Sequence, residues 1–154
     1  PVAKPARSTS MATRRGGAGR TVLVVDSTSI ARKFLALRLE ALGYKVHTAD
    51  DAEQAMAMVE RHAYAVVFLE LVLTPKGGVD GLGLCQAIKQ KPSHPQGVVP
   101  AVVVVTGQAG STDRVRSRLA GCDAYLTKPA QLARLKETLE AAFGLLASVS
   151  DARP

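Results

Sequence analysis

The 154-residue chain contains no tryptophan, few aromatic residues and only two cysteines. Aromatic residues make up 4% of the chain and hydrophobic residues 47%, so the core must be built chiefly from Val, Leu, Ala and Ile. Cys85 and Cys122 are too few for a disulfide scaffold, and no metal-ligand spacing surrounds them. We therefore expect one domain with frayed ends in a reducing compartment.

Long apolar runs are also missing. No stretch approaches the roughly 20 residues that a membrane-spanning helix needs, and no basic start precedes an apolar run as in a secretory signal. The P-loop pattern of Gly, four residues and Gly-Lys-Ser/Thr does not occur either. These absences predict a cytoplasmic protein that does not contact a membrane and does not bind nucleotides through a P-loop.

The net charge of +7 is concentrated in one segment of the chain. Residues 1–20 contain five Lys and Arg residues and no acid, so they carry +5. They are rich in Ala, Arg, Gly, Ser and Thr without an apolar period, which predicts a disordered basic tail. Such a tail can bind polyanions, but a solvated linker is the simpler interpretation. We expect no nucleic-acid binding outside this tail.

From residue 21 onward, short apolar strands alternate with amphipathic helices. The strands are predicted at 21–26, 45–49, 65–71, 101–106 and 123–127. The apolar positions of the first and last helices recur at helical spacing; they are Ile30, Phe34, Leu35, Leu39 and Leu42, and Leu132, Leu135, Leu139 and Phe143. Alternation predicts an α/β fold with a parallel five-stranded sheet covered on both faces. The domain should span residues 21–146, with a frayed tail at 147–154.

Four polar residues lie where strands end. Asp26, Glu70, Thr106 and Lys128 end or follow the first, third, fourth and fifth strands. Ligand sites in open parallel sheets lie beyond the carboxyl ends of the strands, near the point where strand order reverses. We therefore expect these four side chains to form the functional site.

Five segments, in order along the chain, resemble the receiver domains of two-component response regulators. They are Val24-Val25-Asp26, Leu69-Glu70-Leu71, Val79-Asp80-Gly81, Val105-Thr106-Gly107 and Tyr125-Leu126-Thr127-Lys128-Pro129. Residues 113–129 also resemble receivers of twitching-motility and chemotaxis-type systems. The resemblance implies a CheY-like (βα)5 doubly wound sheet with the flavodoxin-like strand order 2-1-3-4-5, and a role in bacterial phosphorelay signal transduction.

The resemblance also implies a role for each site residue. In the family, paired acids after the first strand hold Mg²⁺ together with an aspartate that ends the third strand and accepts the phosphoryl group. Asp26 fills the first acidic position, and Glu70 stands at the phosphoacceptor position. Thr106 and Lys128 match the residues that contact the phosphoryl group, and Tyr125 matches an aromatic switch residue.

Three departures affect the chemical centre of the family pattern. Ser27 replaces the second acid, Glu70 replaces the aspartate, and the loop between Glu70 and Gly81 is longer than usual. A pocket with fewer carboxylates should bind Mg²⁺ weakly at best, so we expect no cofactor. Glu70 is long enough to reach Lys128 or Thr106 instead. Whether it mimics the activated state or is inert stays open.

The leading hypothesis is a pseudo-receiver that is not an enzyme and acts by protein–protein interaction. Its partner is expected on the face formed by residues 114–143, where Arg114, Arg116 and Arg118 make a short helix basic. One alternative is a response regulator that is phosphorylated on Glu70 or another residue. A further alternative is a signalling module that binds a small anion or nucleotide at the strand ends.

Overall fold

The computed structural model describes residues 21–73, 80–107 and 110–151. The predicted basic tail at 1–20 lies outside the described residues. So does most of the lengthened loop, including Lys76, Gly77 and Gly78. None of the described helices is both long and apolar enough to cross a membrane.

Five parallel strands form a single sheet in the described part of the chain. They are β1 (Thr21–Val25), β2 (Lys45–Ala49), β3 (Val66–Leu69), β4 (Ala101–Thr106) and β5 (Ala124–Thr127). The spatial order is β2-β1-β3-β4-β5, with every neighbouring pair parallel. The predicted α/β fold and strand order are therefore confirmed.

Helices connect the strands. They are α1 (Ser29–Ala41), α2 (Ala52–Arg61), α3 (Gly81–Gln90), α4 (Ser111–Leu119) and α5 (Leu132–Asp151), with a 3₁₀ turn at Pro95–Gly97. The side chains of Asp51 and Asp80 cap α2 and α3 by accepting hydrogen bonds from the backbone N–H groups of Gln54 and Gly83. Gly43, at φ +96°, follows the C-terminal end of α1.

Alternate residues of each strand face opposite layers of helices, as the pleat of a sheet requires. Leu23, Val67 and Val102 pack in the layer that contains the buried residues of α2 and α3. Phe68 and Val103 pack in the other layer, with the buried residues of α1 and α5. Burial on both faces explains why the strands are continuous apolar runs and not alternating ones.

Two predicted apolar stripes are only partly buried. On α1, Leu35 and Leu39 are core residues, whereas Ile30 is 79% exposed and Phe34 is 39% exposed. On α5, Leu132 is 41% exposed because it lies in the first turn, at the end of the helix. The spacing of the apolar residues therefore predicted the correct buried face of each helix. The buried part of that face is shorter than predicted at the N-terminal end of each helix. In addition, α5 extends to Asp151.

Candidate functional site

The site lies at the carboxyl end of the sheet, where backbone hydrogen bonds fix its three charged residues. The backbone N–H of Asp26 donates to the carbonyl of Ala49 at 3.1 Å, and that of Glu70 donates to Val25 at 2.9 Å. The N–H of Lys128 donates to the carbonyl of Thr106 at 2.8 Å. Each residue is thus attached to the end of a neighbouring strand. The Lys128-Pro129 peptide bond is cis.

Lys128 bridges the two carboxylates of the site. Its Nζ lies 2.7 Å from Asp26 Oδ2 and 2.6 Å from Glu70 Oε1. Both acids are buried, and the Lys128 side chain is 29% exposed. Burial alone would lower the pKa of Lys128, but its hydrogen bonds to Asp26 and Glu70 outweigh burial and raise it. The ammonium is therefore held in its charged form.

The other carboxylate oxygens are also engaged. Asp26 Oδ1 accepts a hydrogen bond from the backbone N–H of Thr28 at 2.9 Å. Glu70 Oε2 accepts one from the backbone N–H of Val72 at 3.0 Å. Arg32 donates to the backbone carbonyl of Asp26 at 2.7 Å, which fixes the start of α1 against the site. Each of the four carboxylate oxygens thus has a partner from the protein itself.

The donor set fits a magnesium ion poorly. Mg²⁺ requires nearly octahedral oxygen coordination, usually with one or two carboxylates and several waters. Here the two carboxylates already bind the ammonium of Lys128. A magnesium ion would have to displace this ammonium or bind beside it against charge repulsion. Ser27, the half-buried residue that follows Asp26, supplies no carboxylate. Among the described residues, no group of three His, Cys, Asp or Glu side chains could hold a metal ion.

Thr106 and Tyr125 lie close to this cluster. Thr106 is buried at the end of β4. Tyr125 lies on β5, where the Arg114 guanidinium is 4.9 Å from the centre of its ring. Burial and then Asp113 raise the pKa of the Tyr125 hydroxyl, and Glu70 adds to the same effect. The predicted switch residue is therefore in contact with α4.

A cavity of about 470 Å³ adjoins the cluster and was not predicted from the sequence. It lies between α1 and residues 128–130, which precede α5, and its walls are mainly apolar, including Phe34, Phe68 and Val105. Asp26, Glu70 and Lys128 are at its polar end. The partial exposure of Phe34 follows from this cavity, which the helical periodicity of α1 could not reveal.

The sequence interpretation also missed a small aromatic cluster at the edge strand. His47 and His62 lie with their ring centres 5.0 Å apart. His47 Nδ1 is hydrogen-bonded to the hydroxyl of Tyr64 at 2.7 Å. The only signal in the sequence was the placement of His47 on β2 and His62 directly after α2.

Comparisons with known proteins agree with this architecture. The family model described as "Response regulator receiver domain" matches residues 22–140. A probable transcriptional regulator ycf27 of Guillardia theta is 34% identical over 108 residues, which cover 70% of this chain and 39% of the relative. This chain therefore spans well under half the length of that regulator.

Two solved structures are also similar. The receiver domain of NtrX from Brucella abortus is 31% identical, with a TM-score of 0.67, covering 79% of this chain and 96% of that one. The receiver domain of the sensor histidine kinase PA1611 from Pseudomonas aeruginosa PAO1 is 26% identical, with a TM-score of 0.70, covering 82% of this chain and 99% of that one. That structure is described with a magnesium ion coordinated in the active-site cleft. The chain thus belongs to the response regulator receiver domain family and is a receiver domain of two-component signalling.

Proposed function

We propose that this chain is a pseudo-receiver, which transmits a signal by contact with a protein partner and not by accepting a phosphoryl group. The observation that carries the proposal is the bridge from Lys128 to Asp26 and Glu70, at 2.7 and 2.6 Å. In the family pattern, this lysine pairs with the phosphoryl group. Here the carboxylate of Glu70 already holds it.

The charge of the pocket supports the same proposal. The family pattern has three carboxylates facing one lysine, a net charge of −2. Ser27 replaces one of them here, so Asp26, Glu70 and Lys128 leave a net charge of −1. A weaker negative potential, with the two carboxylates already paired, should lower the affinity for Mg²⁺. Phosphoryl transfer depends on such cations to neutralise the charge that develops on the phosphate oxygens.

The geometry of Glu70 is a further obstacle to phosphorylation. Its Oε1 binds Lys128 and its Oε2 accepts a hydrogen bond from the N–H of Val72. An attacking carboxylate oxygen would have to leave one of these partners. The side chain is also one methylene longer than aspartate, and a displacement of about 1 Å can slow such a reaction on the order of 100-fold. We therefore expect no turnover at this site.

The proposed docking face is formed by α4, β5 and the described part of α5, between Arg114 and Phe143. Three arginines of α4 are exposed. Val115 and Leu119 on the same helix are 56% and 80% exposed. The only acidic residue of α4 is Asp113, which lies 3.7 Å from Arg116, so the three arginines leave the helix with a net positive charge. A face that combines basic and apolar side chains suits a cytoplasmic partner with an acidic rim around an apolar centre.

The anion-binding alternative is less well supported. The cavity beside the site has mainly apolar walls, and its polar end contains two carboxylates and one ammonium. The excess negative charge at that end would repel a phosphate or nucleotide. A response regulator that is phosphorylated in the ordinary way is the stronger competitor, because Thr106 and Lys128 are both retained.

Incubation with acetyl phosphate and Mg²⁺ tests the proposal directly. We expect the intact mass of the protein to stay unchanged, with no detectable heat of Mg²⁺ binding in calorimetry. A stable, stoichiometric gain of one phosphoryl group that maps to Glu70 would refute the pseudo-receiver.

A variant that carries both Ser27→Asp and Glu70→Asp is the matched control. It restores the three carboxylates of the family pattern and shortens the acid that blocks Lys128. We expect this variant to bind Mg²⁺ more tightly than the unmodified chain and to gain a phosphoryl group. Equal gain of phosphoryl groups by both proteins would mean that the departures at positions 27 and 70 do not affect phosphorylation.

A further inference from the structure

The only two cysteines of the chain lie side by side in the folded protein. Cys85 is on α3, and Cys122 is in the turn between α4 and β5. Their sulfurs donate to the backbone carbonyls of Ala120 and Ala124, each at 3.5 Å, which are the residues two positions before and after Cys122. Cys122 also packs against the core cluster that contains Cys85. The fold thus unites two thiols that are far apart in sequence.

The two thiols have different environments. Cys85 is completely buried, whereas Cys122 is partly exposed and packs against the core from outside. Cys122 lines a surface depression of about 80 Å³, together with Arg114 and Arg118. A water molecule occupies about 30 Å³ in the liquid, so this depression admits an oxidant of peroxide size. Cys122 is therefore the thiol that such an oxidant reaches first.

Cys122, the more accessible thiol, is also the more acidic of the two. The neighbouring Cys85 thiol lowers the pKa of Cys122 below its ordinary value. Cys122 and burial raise the pKa of Cys85 above its ordinary value. The thiolate is the reactive form of cysteine, so an accessible thiol that ionises more readily is the expected point of attack.

We propose that Cys122 is an oxidant-reactive thiol and that Cys85 is its resolving partner, so that a hydroperoxide converts the pair into an intramolecular disulfide. The Cys122 thiolate attacks one peroxide oxygen, an S–O bond forms, and the O–O bond breaks to leave an alcohol or water after protonation. The Cys85 thiol then attacks the sulfenic sulfur, the S–O bond breaks, and water leaves with the proton of Cys85. The sulfur pair loses two electrons and the peroxide gains them.

The disulfide would join α3 covalently to the turn that precedes β5. That turn leads directly into the strand that carries Tyr125, so oxidation would fix the position of this strand end against the core. The inference does not depend on whether Glu70 is phosphorylated. It adds a modification site that is separate from the carboxyl end of the sheet.

The test treats the purified full chain with hydrogen peroxide, blocks the remaining thiols with an alkylating reagent, and measures the intact mass. We expect the unmodified chain to lose two hydrogen atoms, to take up no alkyl group and to recover two alkylation sites after reduction. Cys85→Ala should instead accumulate a sulfenic acid on Cys122 that dimedone captures. Cys122→Ala should keep an unreacted Cys85 under the same conditions.

Two results would overturn the proposal. One is an unmodified chain that keeps both thiols alkylatable, with no dimedone adduct in Cys85→Ala. The other is faster oxidation of Cys85 in Cys122→Ala than of Cys122 in Cys85→Ala. Peptide mapping of the oxidised unmodified chain decides the question if Cys85→Ala fails to fold, because a Cys85–Cys122 cross-linked peptide is either present or absent. Circular dichroism establishes the folding of each variant.

Discussion

The ammonium of Lys128 and the carboxylate of Glu70 form a contact of 2.6 Å at the centre of the candidate site. Glu70 is buried, and Lys128 also binds Asp26 on its other side. A buried carboxylate without a cation is strongly unfavourable, so the ammonium of Lys128 offsets part of the cost of burying both acids. The two carboxylates and one ammonium leave the site with a net charge of −1.

Lys128→Met should destabilise the fold more than an ordinary surface substitution. It leaves Asp26 and Glu70 as two buried carboxylates without a cation, and breaking such a pair typically costs 3–5 kcal/mol. Because Lys128 is 29% exposed, solvent screens part of this effect, and we expect a loss of about 2–4 kcal/mol in the free energy of unfolding at neutral pH. Urea denaturation measures it.

The control for this prediction is Lys136→Met, which removes an exposed lysine of α5. It should change the free energy of unfolding by less than about 0.5 kcal/mol. A deficit that is equal for both variants would contradict the role assigned to Lys128.

Gly81→Ala should disturb the loop that follows Glu70. A Cβ at this position would collide with the backbone carbonyl oxygen of Glu70 and lie 2.7 Å from that of Leu71. Backbone atoms cannot rotate away, so we expect a loss of about 2–4 kcal/mol and a displaced Glu70. Gly107→Ala is the matched control, since nothing lies within 4 Å of its added Cβ. Equal thermal unfolding midpoints for the two variants would argue against this tight contact.

Protonation of His47 should weaken the fold in mild acid. Burial lowers the pKa of His47 below its ordinary value of 6.5, and His62 and Lys45 add to the effect. The unfolded chain then binds a proton more readily than the folded one. The stabilising contribution is complete above pH 6.5 and is lost as the pH falls below that value. Burial lowers the pKa of His94 as well, so both residues act in the same direction.

An NMR titration of the histidine rings measures this effect, together with denaturation curves at several pH values. His62→Gln removes one of the charges near His47 and should move the pKa of His47 toward 6.5. The same variant should lose less stability between neutral pH and pH 5. If His47 of the unmodified chain titrated above 6.5, the assigned burial effect would be wrong.

Leu139→Ala should destabilise the fold more than Leu132→Ala, because only Leu139 lies in the buried stripe of α5. Leu139 is 1% exposed, and large-to-small substitutions at such positions cost about 2–5 kcal/mol. Leu132 is 41% exposed, so its truncation should cost less than about 1 kcal/mol. The helical spacing alone treats the two leucines as equivalent. Similar losses of unfolding free energy would mean that α5 packs differently.

The sequence by itself determined the fold class and the convergence of three charged side chains at one edge of the sheet. Continuous apolar strands alternate with helical stripes, and this order leaves a doubly wound parallel sheet as the simplest way to bury both faces. Because the carboxyl ends of parallel strands share one edge, Asp26, Glu70 and Lys128 were predicted to converge, and they do. The apolar runs locate the strands, and the polar residues that end them mark the edge of the sheet where the site lies.

Only the tertiary structure decided which partners these side chains choose. The sequence left Glu70 free to reach Lys128 or Thr106, and the fold places its Oε1 on the ammonium. Likewise, no pattern in the chain predicts that Cys85 meets Cys122 or that His47 meets His62. Such contacts depend on the distance and angle at which separate elements pack, which residue spacing within one element does not encode.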